Sequence, residues 1–181
     1  MLWLLQYPPE GERRLRVEWG AHGLDQARLL TSPLTDPRSN LLRMGAADLH
    51  LDTLLFNGHT TTTDSLWAGV PVLTKPGIRH ASRVAASSAR LYTDIPHMVV
   101  PTLEAYTQQA IALGRNKGAM RRLREGVRGQ RLDSPLFDTQ RWVRDLERAL
   151  ALVWDTFLLS PSRPSPDGHR PRLPFHVALI D

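Results

Sequence analysis

Residues 57–69 read Asn-Gly-His-Thr-Thr-Thr-Thr-Asp-Ser-Leu-Trp-Ala-Gly, and this stretch decides the fold. It follows a short apolar run at residues 49–55, broken by Asp52 and Thr53. A strand that ends at an Asn-Gly turn, with a helix opening straight after it, is the βα junction of a parallel sheet. His59 and four consecutive threonines crowd the first turn of that helix. The leading N–H groups of a helix have no internal acceptor and sit at the positive end of its dipole. Hydroxyls and an imidazole added there suit a phosphate or diphosphate. A plainer use stays open: one threonine as N-cap, with Asp64 stabilising the first turn. A single cap needs one hydroxyl, and this turn carries four.

Outward from the junction, two kinds of segment alternate. Short apolar strands are predicted at residues 2–6, 28–31, 49–51 and 70–74, with a weak last strand at 98–100. Helices are predicted at about 10–21, within 36–47, at 59–67 and at 80–91, with Gly23 and Gly69 as stops. This alternation predicts an α/β fold, a parallel sheet with helices on both faces. Ligands of such sheets bind outside the carboxyl ends of the strands. The segments expected there are residues 32–40, 53–64 and 75–83. Lys75, just before Pro76-Gly77, either reaches a ligand or is a surface lysine at a turn. Arg83, on a helix of small residues, is expected to pair with a carboxylate inside the fold. Asp48 and Asp52 flank the third strand as an acid–base pair or, the preferred reading, as helix caps.

Beyond Pro101 the pattern is helical only, at residues 103–114, 117–127 and 138–159. The last carries Trp142, Leu146, Leu150, Val153 and Phe157 at i, i+4, i+8, i+11 and i+15, a stripe expected to pack in the core. The division is therefore one domain at residues 1–159, its C-terminal helices at about 102–159, and a Pro/Ser/Arg/Gly-rich tail at 160–181 expected to be disordered.

Composition excludes several functions. The 181 residues hold no cysteine, so disulfides, thiolate nucleophiles and cysteine-ligated zinc are absent. The seven histidines show no ligand spacing, and no Asp-x-Asp pair occurs. No metal is expected. No apolar stretch is long enough to span a bilayer. The net charge is +5, with Arg115, Lys117, Arg121, Arg122, Arg124, Arg128 and Arg131 in one run opposed by Glu125. Without interleaved aromatic residues or a nucleic-acid motif, that run reads as a solvated helix face.

Several ordered motifs carry a family resemblance. Leu51-Asp52-Thr53, Asn57-Gly58-His59-Thr60-Thr61, Asp64, Leu66-Trp67-Ala68-Gly69-Val70-Pro71, Pro76-Gly77, the run 81–87 and Ser134-Pro135-Leu136-Phe137 resemble the C-terminal half of O-linked N-acetylglucosamine transferases. The resemblance runs from about Leu2 to Phe157. It implies a Rossmann-like parallel sheet as the C-terminal half of a GT-B glycosyltransferase fold, which binds the UDP-sugar and whose final helix packs towards the N-terminal domain. It further implies inverting, metal-independent transfer of N-acetylglucosamine from UDP-GlcNAc, a co-substrate rather than a cofactor, to serine or threonine of cytoplasmic or nuclear proteins. By motif, His59, Thr60 and Thr61 look like diphosphate contacts and Asp64 like a ribose hydroxyl acceptor. The base-contacting segment falls near residues 35–40 and brings in Thr35 and Asn40. There the family's lysine and histidine are replaced by Pro37 or Arg38 and by Asn40. The family's Pro-Gly-Glu reads Pro76-Gly77-Ile78. The four threonines also resemble Spindly-type O-fucosyltransferases, which use GDP-fucose; Asn57-Gly58-His59 and Leu66-Trp67-Ala68-Gly69 favour the N-acetylglucosamine branch. Repeats and an N-terminal catalytic domain would lie upstream, so the chain is expected to be a fragment, inactive alone, with protein acceptors only when that half is present. A non-catalytic nucleotide-binding or interaction paralogue is the other reading. No catalytic residue, membrane contact or nucleic-acid partner is assigned.

Overall fold

The computed structural model describes residues 1–6, 8–92, 95 and 98–159; the tail expected at 160–181 lies outside them. Strand β1 (Leu2–Leu5) leads through α1 (Pro9–Ala21) to β2 (Leu29–Ser32), which pairs parallel with it, Leu2 against Leu29 and Leu5 against Ser32. After α2 (Pro37–Met44), β3 (His50–Leu51) leads through α3 (His59–Trp67) to β4 (Val72–Leu73). This pair is also parallel, His50 against Val72. Val99 extends it with a parallel bridge to Thr74. Every strand pairing among the described residues is parallel, as the α/β alternation predicts, but the strands form two separate two-stranded sheets, β1–β2 and β3–β4, rather than one continuous sheet.

The helix ends follow from local chemistry. Asp36 accepts the Ser39 N–H at 3.0 Å and caps α2; the Ser39 side chain first and its N–H second hold the Asp36 carboxyl below the usual carboxylate range. Helix α3 stops in a Schellman turn, with Gly69 N–H on the Leu66 carbonyl and Val70 N–H on that of Ser65. Gly69 takes φ +76°, and a Cβ there would lie 2.4 Å from Arg128 Cγ. Both the backbone and its neighbour require glycine.

The C-terminal helices α5 (Leu103–Arg115) and α6 (Lys117–Gln130) close the core. Thr102 and Asn116 cap them, accepting from Ala105 and Ala119 at 3.0 and 2.9 Å. Leu113, Leu123 and Val127 then pack with Leu66, Val72, Tyr92 and Met98 in one buried cluster. Burial of this apolar surface is what holds these helices to β4 and α3. The Ser-Pro-Leu-Phe turn docks beside them: buried Ser134 donates its hydroxyl to the Leu91 carbonyl at 3.2 Å, and Phe137 meets Trp67 edge-on at 4.9 Å.

Three expectations need correction. The helix expected at 80–91 is a 3-10 turn (His80–Ser82) and then α4 (Val84–Arg90). The chain breaks between them because the Ala81 carbonyl is drawn sideways to the Asn57 N–H and the His59 ring. The basic run is only partly solvated. Arg124 bonds Asp48 and the Gly45 carbonyl at 3.0 and 2.9 Å. Arg131 donates to the Trp67 carbonyl and lies over its ring. These two cations sit at the carboxyl ends of α2 and α3, where the helix dipole favours them.

The third correction concerns α7 (Thr139–Leu159). Trp142, Leu150 and Phe157 are 61%, 59% and 51% exposed, and Leu146 is exposed as well. The stripe has the expected periodicity but packs against no core among the described residues.

Candidate functional site

The site starts at Asp52, the residue after β3. It is buried, and its two carboxylate oxygens are both used: Oδ1 accepts the Gly58 N–H at 2.8 Å and Oδ2 the Thr74 hydroxyl at 2.6 Å. Its backbone carbonyl takes the Tyr106 hydroxyl at 3.0 Å. Burial and the Asp52 charge push the Tyr106 phenol up to about 12. Asp52 is thus a cap on the turn that opens α3. Asp48 turns away to Arg124, so the two carboxylates do not form an acid–base pair.

Asn57 is the second anchor. Buried to 1% exposure, it donates its amide to the Thr53 carbonyl at 2.8 Å and accepts the Ala85 N–H at 3.2 Å. Ala85 lies in the first turn of α4, so Asn57 caps that helix from another loop. Its own N–H reaches the Ala81 carbonyl at 2.8 Å. The segments after β3 and β4 are therefore locked together at the carboxyl edge. Gly58 between them cannot carry a side chain freely: a Cβ would meet Thr61 Oγ1 at 2.6 Å.

On this platform α3 begins without a side-chain cap. The N–H groups of His59, Thr60 and Thr61 have no intrahelical acceptor. The threonines divide by role. Thr61 donates its hydroxyl to the Gly58 carbonyl, and Thr63 to that of His59 at 3.3 Å. Thr62 is fully buried, and its hydroxyl has no partner. Thr60 is exposed and, among the described residues, its hydroxyl makes no hydrogen bond. No threonine acts as the N-cap. Asp64 is half-buried one turn on and carries no ion pair among the described residues.

His59 is fixed at the mouth of the turn. Its ring stacks on Phe56 with centroids 4.6 Å apart and planes 18° apart, and Nε2 lies 3.1 Å from the Ala81 carbonyl. Beneath the same helix, His50 Nδ1 lies 2.7 Å from Ser65 Oγ, which itself donates to the Thr61 carbonyl. Burial pushes the His50 ring below the usual histidine range, partly opposed by Asp52.

The other predicted residues are less engaged. Arg83 donates to the Gly77 carbonyl at 3.1 Å and is exposed, rather than pairing with a buried carboxylate. Lys75 follows β4, half-buried. Thr35 is exposed in the loop after β2, its hydroxyl 3.4 Å from Asp36. Asn40 is turned to its own helix, accepting from Arg43 at 3.0 Å and facing Met44 Sδ. Arg43 also grips the Pro33 carbonyl and lies over Trp3. His59, Thr60 and Thr61 share the first turn of α3 with Asp64 one turn on, whereas no described hydrogen bond or ring contact joins Thr35 or Asn40 to them. Asn57 and Ala81 are the residues sequence reasoning missed. Asn57 was visible in the Asn-Gly pair, but a backbone carbonyl such as that of Ala81 leaves no residue-type signal.

A concave surface of about 590 Å³ lies between Asp48, Leu113, Lys117, Met120, Arg121 and Arg128. Neither Asp52, Asn57 nor any residue of 58–64 lines it. Among the described residues, no three His, Asp or Glu side chains gather as metal ligands, and no helix is long and apolar enough to cross a membrane.

Parallel βα units with an open helix start at the carboxyl edge and trailing helices define a Rossmann-like α/β unit of the kind that binds its ligand at that edge. The sequence pattern of glycosyl transferase family 41 matches residues 1–146, and the chain belongs to that family. It is 43% identical over 155 residues to the probable UDP-N-acetylglucosamine–peptide N-acetylglucosaminyltransferase SEC of Arabidopsis thaliana, covering 85% of this chain and 16% of that protein. A UDP-N-acetylglucosamine–peptide N-acetylglucosaminyltransferase of Caenorhabditis elegans is 37% identical over 87% of this chain and 14% of its own length. A K341M mutant of the Thermobaculum terrenum O-GlcNAc transferase superposes with TM-score 0.77 at 31% identity, over 84% of this chain and 30% of that one. The chain thus spans about a sixth of those two curated relatives and under a third of the solved structure.

Proposed function

We propose that this chain is the donor-binding part of a protein O-GlcNAc transferase, holding UDP-GlcNAc at the start of α3. The observation that carries this reading is the uncapped first turn, where His59, Thr60 and Thr61 present free N–H groups on a platform locked by Asp52 and Asn57. Oriented N–H groups at a helix start bind a diphosphate and stabilise its charge without a metal. Asp64, unpaired one turn further on, is free to accept from a ribose hydroxyl. Thr35 and Asn40 belong to the base end of the site. The relatives named above carry this donor and a peptide acceptor in their names, which supports UDP-GlcNAc as donor and a protein as acceptor; serine or threonine acceptors in the cytoplasm or nucleus rest on the family resemblance alone.

The exposed apolar stripe of α7 supports a second element of this reading. Trp142, Leu146, Leu150 and Phe157 fit a surface that the rest of a catalytic unit covers. The chain alone is then expected to bind donor without transferring sugar. The test is a titration of the folded chain with UDP and UDP-GlcNAc, with GDP-fucose as competitor. Micromolar to millimolar affinity for the uridine nucleotides supports the reading, tighter binding of GDP-fucose moves it to the fucosyl branch, and no binding of either ends it.

A further inference from the structure

We propose that the cleft between the end of α5 and α6 docks an acidic segment of a partner protein, with Lys117 and Arg128 pairing its carboxylates. It stands apart from the donor reading, because the cleft shares no residue with the first turn of α3. Lys117, Arg121, Arg124 and Arg128 fall at i, i+4, i+7 and i+11 of α6, so one face of the helix carries four cations. That face borders the concavity of about 590 Å³, the size of a site that encloses a few residues rather than of a flat surface. Leu113, 5% exposed, and half-buried Met120 also line it and put apolar ground between the charges.

The four cations are not equivalent. Arg124 is spent on Asp48 and on the Gly45 carbonyl. Arg121 has a loose 3.8 Å pair with Glu125, and both side chains are exposed; a pair of that kind is worth little and exchanges readily. Lys117 and Arg128 are exposed and form no ion pair among the described residues. Arg128 is held in place all the same, its stem laid over Gly69 where a Cβ would overlap it. A side chain already ordered loses less freedom when it pairs. Lys117 and Arg128 stand eleven residues apart on α6, about 16 Å along the axis at the helical rise. An extended segment covers that distance in about five residues. The complementary sequence therefore carries two carboxylates about five residues apart, with an apolar side chain between them for Leu113 and Met120. Other polyanions match less well. No aromatic ring lines the cleft to stack a base. Asp48 and Glu125 within it repel a continuous phosphate backbone or a flat anionic bilayer, whereas discrete carboxylates can be spaced between them.

The probe is the fluorescein-labelled peptide Gly-Glu-Ala-Leu-Ala-Ser-Glu-Gly, with its glutamine counterpart, titrated with the full chain and followed by anisotropy. The glutamate peptide is expected to bind in the micromolar range and to weaken as salt is raised, and the glutamine peptide to bind about tenfold more weakly or worse. Lys117→Glu should weaken binding about fivefold or more, and so should Arg128→Gln, which keeps an apolar stem over Gly69. Arg122→Glu places the same charge change on α6 outside the cleft and should stay within about twofold of the unchanged chain. Saturating UDP-GlcNAc should not displace the peptide. No binding at low salt, equal binding of the two peptides, or equal losses in Arg122→Glu and Lys117→Glu overturns the inference. Tighter binding of a single-stranded oligonucleotide or of phosphatidylserine vesicles through Lys117 and Arg128 assigns the cleft to another class of partner and also overturns it. Displacement by UDP-GlcNAc overturns the separate site, whereas peptide binding by a chain that does not bind UDP-GlcNAc supports this inference and ends the donor reading alone.

Discussion

Replacing Asp52 by alanine separates the capping role of that carboxylate from a catalytic one. The buried side chain accepts the Gly58 N–H at 2.8 Å and the Thr74 hydroxyl at 2.6 Å. Alanine leaves both donors buried without partners, at about 1–3 kcal/mol each. Relief of the desolvation of a buried carboxylate offsets part of this, so the net loss is expected at about 2–4 kcal/mol. For a chain of this length that lowers Tm by about 5–15 °C. Asp52→Asn should cost about 1 kcal/mol, because its amide keeps one acceptor for Gly58 and can donate to the Thr74 oxygen. Urea unfolding followed by circular dichroism measures both variants. A loss below about 0.5 kcal/mol for Asp52→Ala, the range of an ordinary surface substitution, would refute the cap. Equal losses in the two variants would show that charge, not hydrogen-bond count, holds the turn.

Further outcomes follow from other residues. His50 has a folded-state pKa lowered by burial, so the unfolded chain binds the extra proton. Stability should therefore fall as pH drops through the unfolded value near 6.5, and chemical denaturation of His50→Gln should show a flatter profile between pH 7 and 5. Gly69→Ala forces an alanine to φ +76° and against Arg128; a loss of about 1–3 kcal/mol is expected, of which Gly69→Ala/Arg128→Ala recovers only the steric share. Size-exclusion and dye binding should show self-association or an apolar surface on α7, reduced in Leu146→Glu/Leu150→Glu without loss of helix content.

The strands were legible because short apolar runs alternating with longer helical stretches leave different traces over only a few residues. The start and end of α3 were legible for the same local reason, with Gly58 and Gly69 bracketing His59–Trp67. What escaped was tertiary. The stripe Trp142–Leu146–Leu150–Phe157 records that α7 is amphipathic, yet periodicity does not say which surface covers it. The basic run of α6 looked solvated because nothing in sequence shows Arg124 and Arg131 reaching carbonyls 79 and 64 residues away. The break at Arg83 depends on the Ala81 carbonyl serving Asn57 and His59, a choice no helix propensity records. At the site, residue types suggested four equivalent threonines, and geometry leaves Thr60 and Thr61 at the surface with Thr62 in the core.

The central claim is that the first turn of α3 holds a sugar-nucleotide diphosphate. Backbone amide shifts of the isotope-labelled chain during titration with UDP-GlcNAc test it most directly. Saturable shifts centred on the N–H groups of His59, Thr60 and Thr61, lost in His59→Ala/Thr60→Ala, are predicted. A folded chain whose amides at residues 58–64 do not move, or that binds the nucleotide elsewhere, would contradict the account.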